Sequence, residues 1–508
     1  MANFYLYVVL STAGLAFILR RRRTRSRLPL PPGPRKLPLV GNLFDFPATL
    51  QWDAYTEWSR KYDSDIIHLS LAGQSLIILS SWQATDDLLQ KRSSKYSDRS
   101  SFPMLVDLME YDFNLLVMKY GPKWRSHRRL FNQSFNVTEA RKFRPTTLVA
   151  TRRLLCRLLH NPEDFRKHIE HVTAENIMSV SYGLDLLPDQ DPHIALAQKV
   201  MKVAGEVATP GSFLVDSIPW LKYVPDWFPG AGFKRKAKAW RELGRQVQEI
   251  PFAEVKHAIA AGTARYCFSS QSLHNLAESE NPYYTEEHIK AIASVIYMAG
   301  SDTTIATTNT FILAMLANPE AQRKAQLEID SVTGRMRLPD FGDEDNLPYV
   351  TALVKEILRW RPVAPIAVPH FLPVEDEYKG FRIPANSIVM GNVSAILHDE
   401  VMYPEPNSFK PERFLLDGKL NPEVRDPDSA FGFGRRICPG RHMAISSLWI
   451  TVASILSVFD ITKAVGEDGQ IIEPTYEYLS DLISVPAPFK CSFRPRSPEL
   501  AALIEGTA

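Results

Sequence analysis

The sequence predicts a mostly α-helical body with a minor β component, one domain carried behind an N-terminal membrane anchor. Three observations predict it. An uncharged apolar run occupies residues 4–19, with arginines directly after it. A longer run, residues 288–319, is apolar on most sides, and a helix apolar all round is a buried central one. Strand-like stretches appear at residues 64–81 and 367–392 while long helical patterns dominate the rest, so the β component is minor.

The first run, "FYLYVVLSTAGLAFIL", has 16 residues. As a helix it spans about 24 Å, a little short of a hydrocarbon core of about 30 Å. The stems of Arg20 to Arg23, Arg25 and Arg27 can snorkel and extend it. A cleaved secretory leader carries its charges before the apolar run; here they follow, which places the bulk of the chain in the cytosol. "LPLPPGP", residues 28–34, is stiff and extended by its proline density. The organisation predicted is an anchor at 1–19, a basic and proline-rich hinge at 20–36, and a folded body at 37–508.

Charge follows the same division. Residues 1–36 hold eight Lys or Arg and no acid, leaving 51 basic against 57 acidic residues in the body. A body of net charge about −6 offers no footprint for nucleic acid. The four cysteines, Cys156, Cys267, Cys438 and Cys491, form no CxxC. A disulfide framework is therefore not expected, and a reducing compartment is.

Four constellations carry chemistry. In "FGFGRRICPG", residues 431–440, Cys438 precedes "PGRHMAISSLWITVASIL", which reads as a helix with Pro439 near its first position. The positive end of that helix would lower the thiol pKa. Gly432, Gly434 and Gly440 would admit a flat cofactor close to the backbone. Taken alone, Cys438 could equally be a buried structural cysteine. Glu356 and Arg359, in "VKEILRW", share one helix face. "AGSDTT", residues 299–304, sets a carboxylate inside the long apolar helix, where it is costly unless used or hydrogen-bonded. Its two threonines can bond back to carbonyls and open the helix locally. In "WRSHRRLF", Trp124 and Arg128 stand one turn apart.

Phe431, Gly434, Arg436, Cys438 and Gly440 match FxxGxRxCxG, and with the other motifs in order the chain resembles the cytochromes P450. It is similar to the microsomal, class II fungal type, of the kind represented by O-methylsterigmatocystin oxidoreductase. The resemblance implies haem b with Cys438 as the proximal thiolate ligand. It implies that Glu356, Arg359 and Arg413 of "FKPERF" form a structural charge network. Asp302 and Thr303 would be an acid–alcohol pair passing protons during dioxygen activation, with Ala299 and Gly300 leaving room above the haem. Trp124, Arg128, Arg436 and His370 would hold the propionates.

The implied reaction is monooxygenation of a lipophilic small molecule, either a secondary metabolite (terpenoid, polyketide or aromatic) or a xenobiotic. It would use O2 and electrons from NADPH, supplied by NADPH–cytochrome P450 reductase with cytochrome b5 as a further donor. The protein would sit in the endoplasmic reticulum membrane as a single-pass protein facing the cytosol. The substrate pocket would draw on residues 100–119, including Phe102, Met104, Phe113 and Leu115. It would also draw on residues 204–213, 295–298, 363–368 and 482–485. Residues 218–236, rich in Trp, Tyr and Phe among lysines, suit a membrane interface. Two other readings are a reductase-independent haem-thiolate isomerase or dehydratase and a non-catalytic haem-binding protein. Retention of Asp302 and Thr303 argues against both.

Overall fold

A computed structural model describes residues 28–47, 49–208, 211–278, 284–480 and 483–506. The predicted anchor, the arginine half of the hinge and Leu482 lie outside the described residues.

Eight helices and one sheet position the site. In chain order the helices are α1 (Pro122–Phe135), α2 (Arg144–His160), α3 (Phe165–Tyr182), α4 (Pro192–Ala208), α5 (Gly232–Ala260), α6 (Glu286–Ala317), α7 (Pro348–Trp360) and α8 (Arg441–Val458). The strands are β1 (Ile66–Leu71), β2 (Gln74–Leu79), β3 (His370–Leu372) and β4 (Ser387–Gly391), in spatial order β1-β2-β4-β3. Ala72 and Gly73 both take positive φ, 47° and 92°, the turn geometry that suits the twist of an antiparallel hairpin. It pairs Leu71 with Gln74 and Ile66 with Leu79. β4 then adds parallel to β2, and β3 antiparallel to β4, placing His370 opposite Val389.

α6 is the central helix. The Thr285 side chain and His288 cap each other's backbone at its start, and Glu286 and Glu287 meet its positive end. It stops at Asn318, in extended backbone before Pro319. Every side chain from Ala291 to Met298 and from Thr308 to Leu316 is buried. Between those stretches the burial is broken, and that interruption faces the site.

Two cores flank it. One joins α2, α3, α6, α7 and α8 through residues such as Leu154, Ile169, Phe311, Val350 and Trp449. The other joins α1, α3 and α6, and Met443 in the first turn of α8 packs into it beside Trp124, Val295 and Met298. Thus the start of α8 is held against the middle of α6. Among the described residues α8 alone is long and apolar enough to cross a membrane, and its burial identifies it as core.

Candidate active site

The loop before α8 is built by backbone constraints. The Cys438 N–H donates to the Phe431 carbonyl at 2.7 Å, closing the loop on itself. Arg128 of α1 donates to the Ile437 carbonyl at 2.6 Å, and Arg441 to the Cys438 carbonyl at 3.2 Å. These bonds hold residues 438–440 as a turn, so the helix begins at Arg441. Pro439 therefore precedes the helix instead of opening it, a correction to the sequence expectation.

The glycines also divide by cause. Gly434 has φ 56°, and a Cβ there would lie 2.0 Å from the Leu89 carbonyl oxygen. Gly432 has φ 83°. Turn geometry and close backbone packing require both, where the sequence suggested access for a flat cofactor. Gly440 fits that suggestion better: a Cβ there would meet only the Cys438 Sγ, at 4.0 Å. Gly434→Ala is expected to destabilise the fold by more than about 3 kcal/mol, since it combines left-handed strain with a backbone clash. A thermal unfolding midpoint within a degree of the parent's would contradict this.

Burial pushes the Cys438 thiol up from its ordinary range, and the Gly440 N–H, Arg128 and Arg441 oppose that shift. The expected lowering by the helix end is thus outweighed by desolvation of the sulfur. A thiolate here requires a cation directly against it.

Beside the loop lies a cluster of buried cations. Arg436 donates to the carbonyls of Ser97, Leu115 and Met118 at 2.7, 3.2 and 2.7 Å, and its guanidinium lies 4.6 Å from the Trp124 ring centroid. Arg99 is 3% exposed and donates to Leu116, Val368 and Pro369 carbonyls. Burial pulls the Arg128 and Arg436 guanidiniums down to about 10. Burial and the Arg436 charge lower Arg99 further. His370, at the start of β3, donates from Nδ1 to the Tyr96 carbonyl at 2.7 Å. Its pKa is held well below the ordinary range by burial and by the charges of Arg99 and Arg436.

Among the described residues no salt bridge ties Arg99, Arg128 or Arg436 to a carboxylate. The buried indole N–H of Trp124 likewise has no acceptor. Asp98 is the one carboxylate whose charge Arg99 and Arg436 feel, and buried guanidiniums with no salt-bridge partner, like an orphaned donor, are costly. They fit a group bearing two carboxylates lodged between α1, the Cys438 loop and β3. Haem is such a group, and the residues present fit it. Arg99 had no distinguishing spacing in the sequence. Its only signal was an arginine beside Asp98, whose carboxylate accepts from the Arg99 and Tyr120 backbone N–H groups.

Across from the loop, the interruption in α6 exposes Ala299 and Thr303, one turn apart, on the same side of the helix. The Thr303 hydroxyl donates to the Ala299 carbonyl at 2.8 Å, and Thr304 to Gly300 at 2.7 Å. Ser301, Thr307 and Thr308 bond back in the same way. The helix nevertheless runs unbroken from Glu286 to Ala317, so the predicted local opening does not occur. Each hydroxyl bonds a carbonyl that already serves the helix, without displacing its N–H partner.

Gly300 takes a different place from the one expected. A Cβ on it would approach Ile177 of α3 to 3.0 Å, so this glycine lets two helices meet and does not open the other face. Asp302 lies partly buried toward the same helix. Burial, followed by the charge of Glu170, pushes its carboxyl up to about 6.

Glu356 and Arg359 are both fully buried on α7. Arg359 donates to the two carboxylate oxygens at 2.7 and 2.8 Å, and Arg413 reaches the same carboxylate at 3.1 and 3.2 Å. The Lys410 backbone N–H donates to it at 2.8 Å. The guanidiniums in turn hold the carbonyls of Leu397, Pro404, Glu405 and Ser408. This network staples residues 397–413 to α7.

Of the substrate-side residues, Met104 is fully buried in a cluster with Val203, Val207, Phe213 and Val215, and Leu115 packs beside Met118 and Trp124. Both serve as core. Trp220, Tyr223, Trp227 and Phe228 are exposed, Trp227 at 80%.

The chain matches the cytochrome P450 family over residues 31–493. It is 44% identical over 508 residues to cytochrome P450 monooxygenase 98 of Postia placenta, covering 99% of this chain and 98% of that protein. A cytochrome P450 monooxygenase of Armillaria gallica is also 44% identical, over 94% of each. The tryptamine 4-monooxygenase of Psilocybe cyanescens is 41% identical over 99% of each.

Proposed function

From the premise that this chain belongs to the cytochrome P450 family and is a haem-thiolate monooxygenase acting on small molecules, we propose the roles of its individual residues and its setting in the cell. The observation that carries the residue assignment is the cluster of three buried guanidiniums around the Cys438 loop, none in a salt bridge among the described residues and with Asp98 the one carboxylate whose charge they feel. Cys438 Sγ would ligate the iron. Arg99, Arg128, Arg436 and Trp124 Nε1 would hold the propionates, whose two charges would balance the cluster; His370, with its Nδ1 proton given to Tyr96, would join them only where a propionate charge draws a second proton onto its ring. Gly440 leaves the space beside the sulfur open, and Phe431 closes the loop through its carbonyl.

When bound, the haem supplies dioxygen activation and oxygen transfer, drawing its electrons from NADPH. The chain's own contribution on the opposite side is proton handling. With a carboxyl pKa of about 6, about a tenth of Asp302 is protonated at pH 7, enough to act as an acid without being permanently neutral. The Thr303 hydroxyl donates a hydrogen bond to the Ala299 carbonyl, which leaves its oxygen free to accept one from another donor. Ala299 keeps that side of α6 low. Glu356, Arg359 and Arg413 have no contact with reacting atoms and act by fixing the segment that leads to the Cys438 loop.

Thr303→Ala is expected to lower the product formed per NADPH consumed by about tenfold or more while leaving haem content unchanged. Parallel measurement of NADPH loss, product and peroxide tests it. An unchanged ratio would remove Thr303 from the path.

The setting follows from the chain's surface and N-terminus. The electron donor is a separate NADPH–cytochrome P450 reductase of the class II arrangement, with cytochrome b5 as a second donor. The apolar residues 4–19 anchor the protein in the endoplasmic reticulum membrane. The exposed Trp220, Tyr223, Trp227 and Phe228 lie at the bilayer surface, facing the cytosol, where lipophilic substrates concentrate. The substrate is a lipophilic small molecule, either a secondary metabolite (a terpenoid, polyketide or aromatic compound) or a xenobiotic. The tryptamine named for one relative favours an aromatic compound among these. A spin-shift screen of a lipophilic library of these classes against the purified holoprotein tests this, and shifts confined to polar compounds would refute it.

A further inference from the structure

Neutral His370 has one ring nitrogen that the described residues leave unused. The ring is 2% exposed, and its Nδ1 lies 2.7 Å from the Tyr96 carbonyl. A carbonyl only accepts, so Nδ1 carries the proton of the neutral ring and Nε2 is a bare lone pair. Among the described residues Nε2 has no hydrogen-bond partner.

The ring is fixed from both sides. Tyr96 is fully buried, and its hydroxyl donates to Asp376, which also holds Arg92 and Lys95. His370 itself is paired with Val389 in the sheet, and the next N–H, of Phe371, donates to the Asp98 carbonyl at 2.9 Å. The same stretch carries the cations. The Ser97 carbonyl, next to the one that takes His370, accepts from Arg436 at 2.7 Å. Arg99 donates at 2.6 Å to the carbonyl of Pro369, the residue before His370. A neutral His370 therefore presents only a lone pair to an anionic oxygen lodged among these groups. Burial, then the charges of Arg99 and Arg436, oppose a second proton, and each negative charge added beside Nε2 favours it.

We propose that His370 is a redox-linked proton site: Nε2 takes a proton from solvent as the bound haem gains an electron, and returns it when that electron leaves. The proposal rests on the reading that the propionates lie against Arg99, Arg436 and His370. The electron is one of those the monooxygenase reaction already draws from NADPH. One proton arrives with it, so the net charge of the buried cluster is the same before and after. A site shut off from water favours that balance, because an uncompensated buried charge is costly. His370 touches no reacting atom; it sets the ease of reduction and takes no part in oxygen transfer.

The sign follows from linkage. The ring holds its second proton more tightly beside reduced haem than beside oxidised haem, so acid favours reduction and the potential falls as pH rises between those two affinities. The other groups facing the ring differ in behaviour. Arg99 and Arg436 stay cationic near neutrality, as guanidiniums do. The Tyr96 phenol is pushed upward, chiefly by burial. The Asp98 carboxylate accepts from the Arg99 and Tyr120 backbone N–H groups, and its own titration would persist in a His370 variant.

The test is spectroelectrochemistry of the full-length holoprotein from about pH 5.5 to 8.5. It is run on the haem-loaded fraction of parent, His370→Gln and His370→Phe. The parent's midpoint potential is expected to fall with pH, toward one proton per electron. Gln keeps a donor at the end of the side chain but has no group that titrates, so H370Q should lose that slope, as should H370F. An indicator dye should register proton uptake on reduction of the parent and none in H370Q. A parent potential independent of pH, or a slope in H370Q equal to the parent's, would overturn the proposal. The propionate bending mode in resonance Raman spectra then separates the two readings. A mode shifted in H370F leaves His370 against a propionate without the redox link. A mode unmoved in H370F removes that contact as well.

Discussion

Cys438→Ala is expected to abolish turnover, by more than about 10³-fold, and to remove the thiolate-type Soret shift from the reduced carbon-monoxide difference spectrum. The loop should survive the change. Its closure depends on the Cys438 backbone N–H, on Arg128 at Ile437 and on Arg441 at the Cys438 carbonyl, none of which uses the sulfur. Deleting a thiol held protonated by burial removes one small side chain, a cost of about 1 kcal/mol. Expression and unfolding of the protein without haem should therefore stay near the parent's while the spectrum changes. A variant that kept the parent's spectrum and activity would overturn the ligand assignment.

Glu356→Ala carries the second large effect, on stability. Among the described residues Glu356 alone forms salt bridges with Arg359 and Arg413, and Glu356 and Arg359 are 0% exposed. Removing one partner of a buried pair leaves uncompensated charge and costs about 3–5 kcal/mol. Here two cations and the Lys410 N–H lose the same acceptor, so the upper part of that range applies. Against a total stability of about 5–15 kcal/mol, little folded protein should accumulate. Haem-containing soluble protein recovered per cell mass measures it. Recovery equal to the parent's would show that the network is dispensable. Glu356→Gln, which keeps the acceptor oxygen but not the charge, should fall between.

These two sites were not equally legible in the sequence. Cys438, Glu356, Arg359 and Arg413 lie in short motifs whose residue types are dictated by one chemistry each. The central helix was legible because its apolar character continues for more than eight turns, and its described limits, Glu286–Ala317, lie within two residues of the run seen in the sequence. The strands at 66–79 and 370–391 fell inside the stretches expected.

What was illegible depended on direction. Gly300 stands next to Ala299 in one motif, yet a step of 100° around the helix turns it from the site to Ile177. Met104 belongs to the segment expected to line the pocket, yet it is buried among Val203, Val207 and Phe213. Arg99 carries no motif and enters the cation cluster because β3 and the segment before α1 bring carbonyls from residues 116, 368 and 369 to it. Glu170 sits 132 positions from Asp302 in the chain, a relation no local pattern encodes.

By itself, then, the sequence determined the class of fold, the family's chemistry and the candidate residues for it. Residue type, spacing along one helix and apolar run length are local quantities, and each is written in consecutive residues. The tertiary structure alone decided which face each side chain presents and how burial sets its charge. It turned the Cys438 thiol upward in pKa despite the neighbouring helix, and it raised Asp302 through burial first and a carboxylate on another helix second. Desolvation and Coulomb interaction depend on distance in space and on the solvent excluded between groups, and both arise only when distant segments pack.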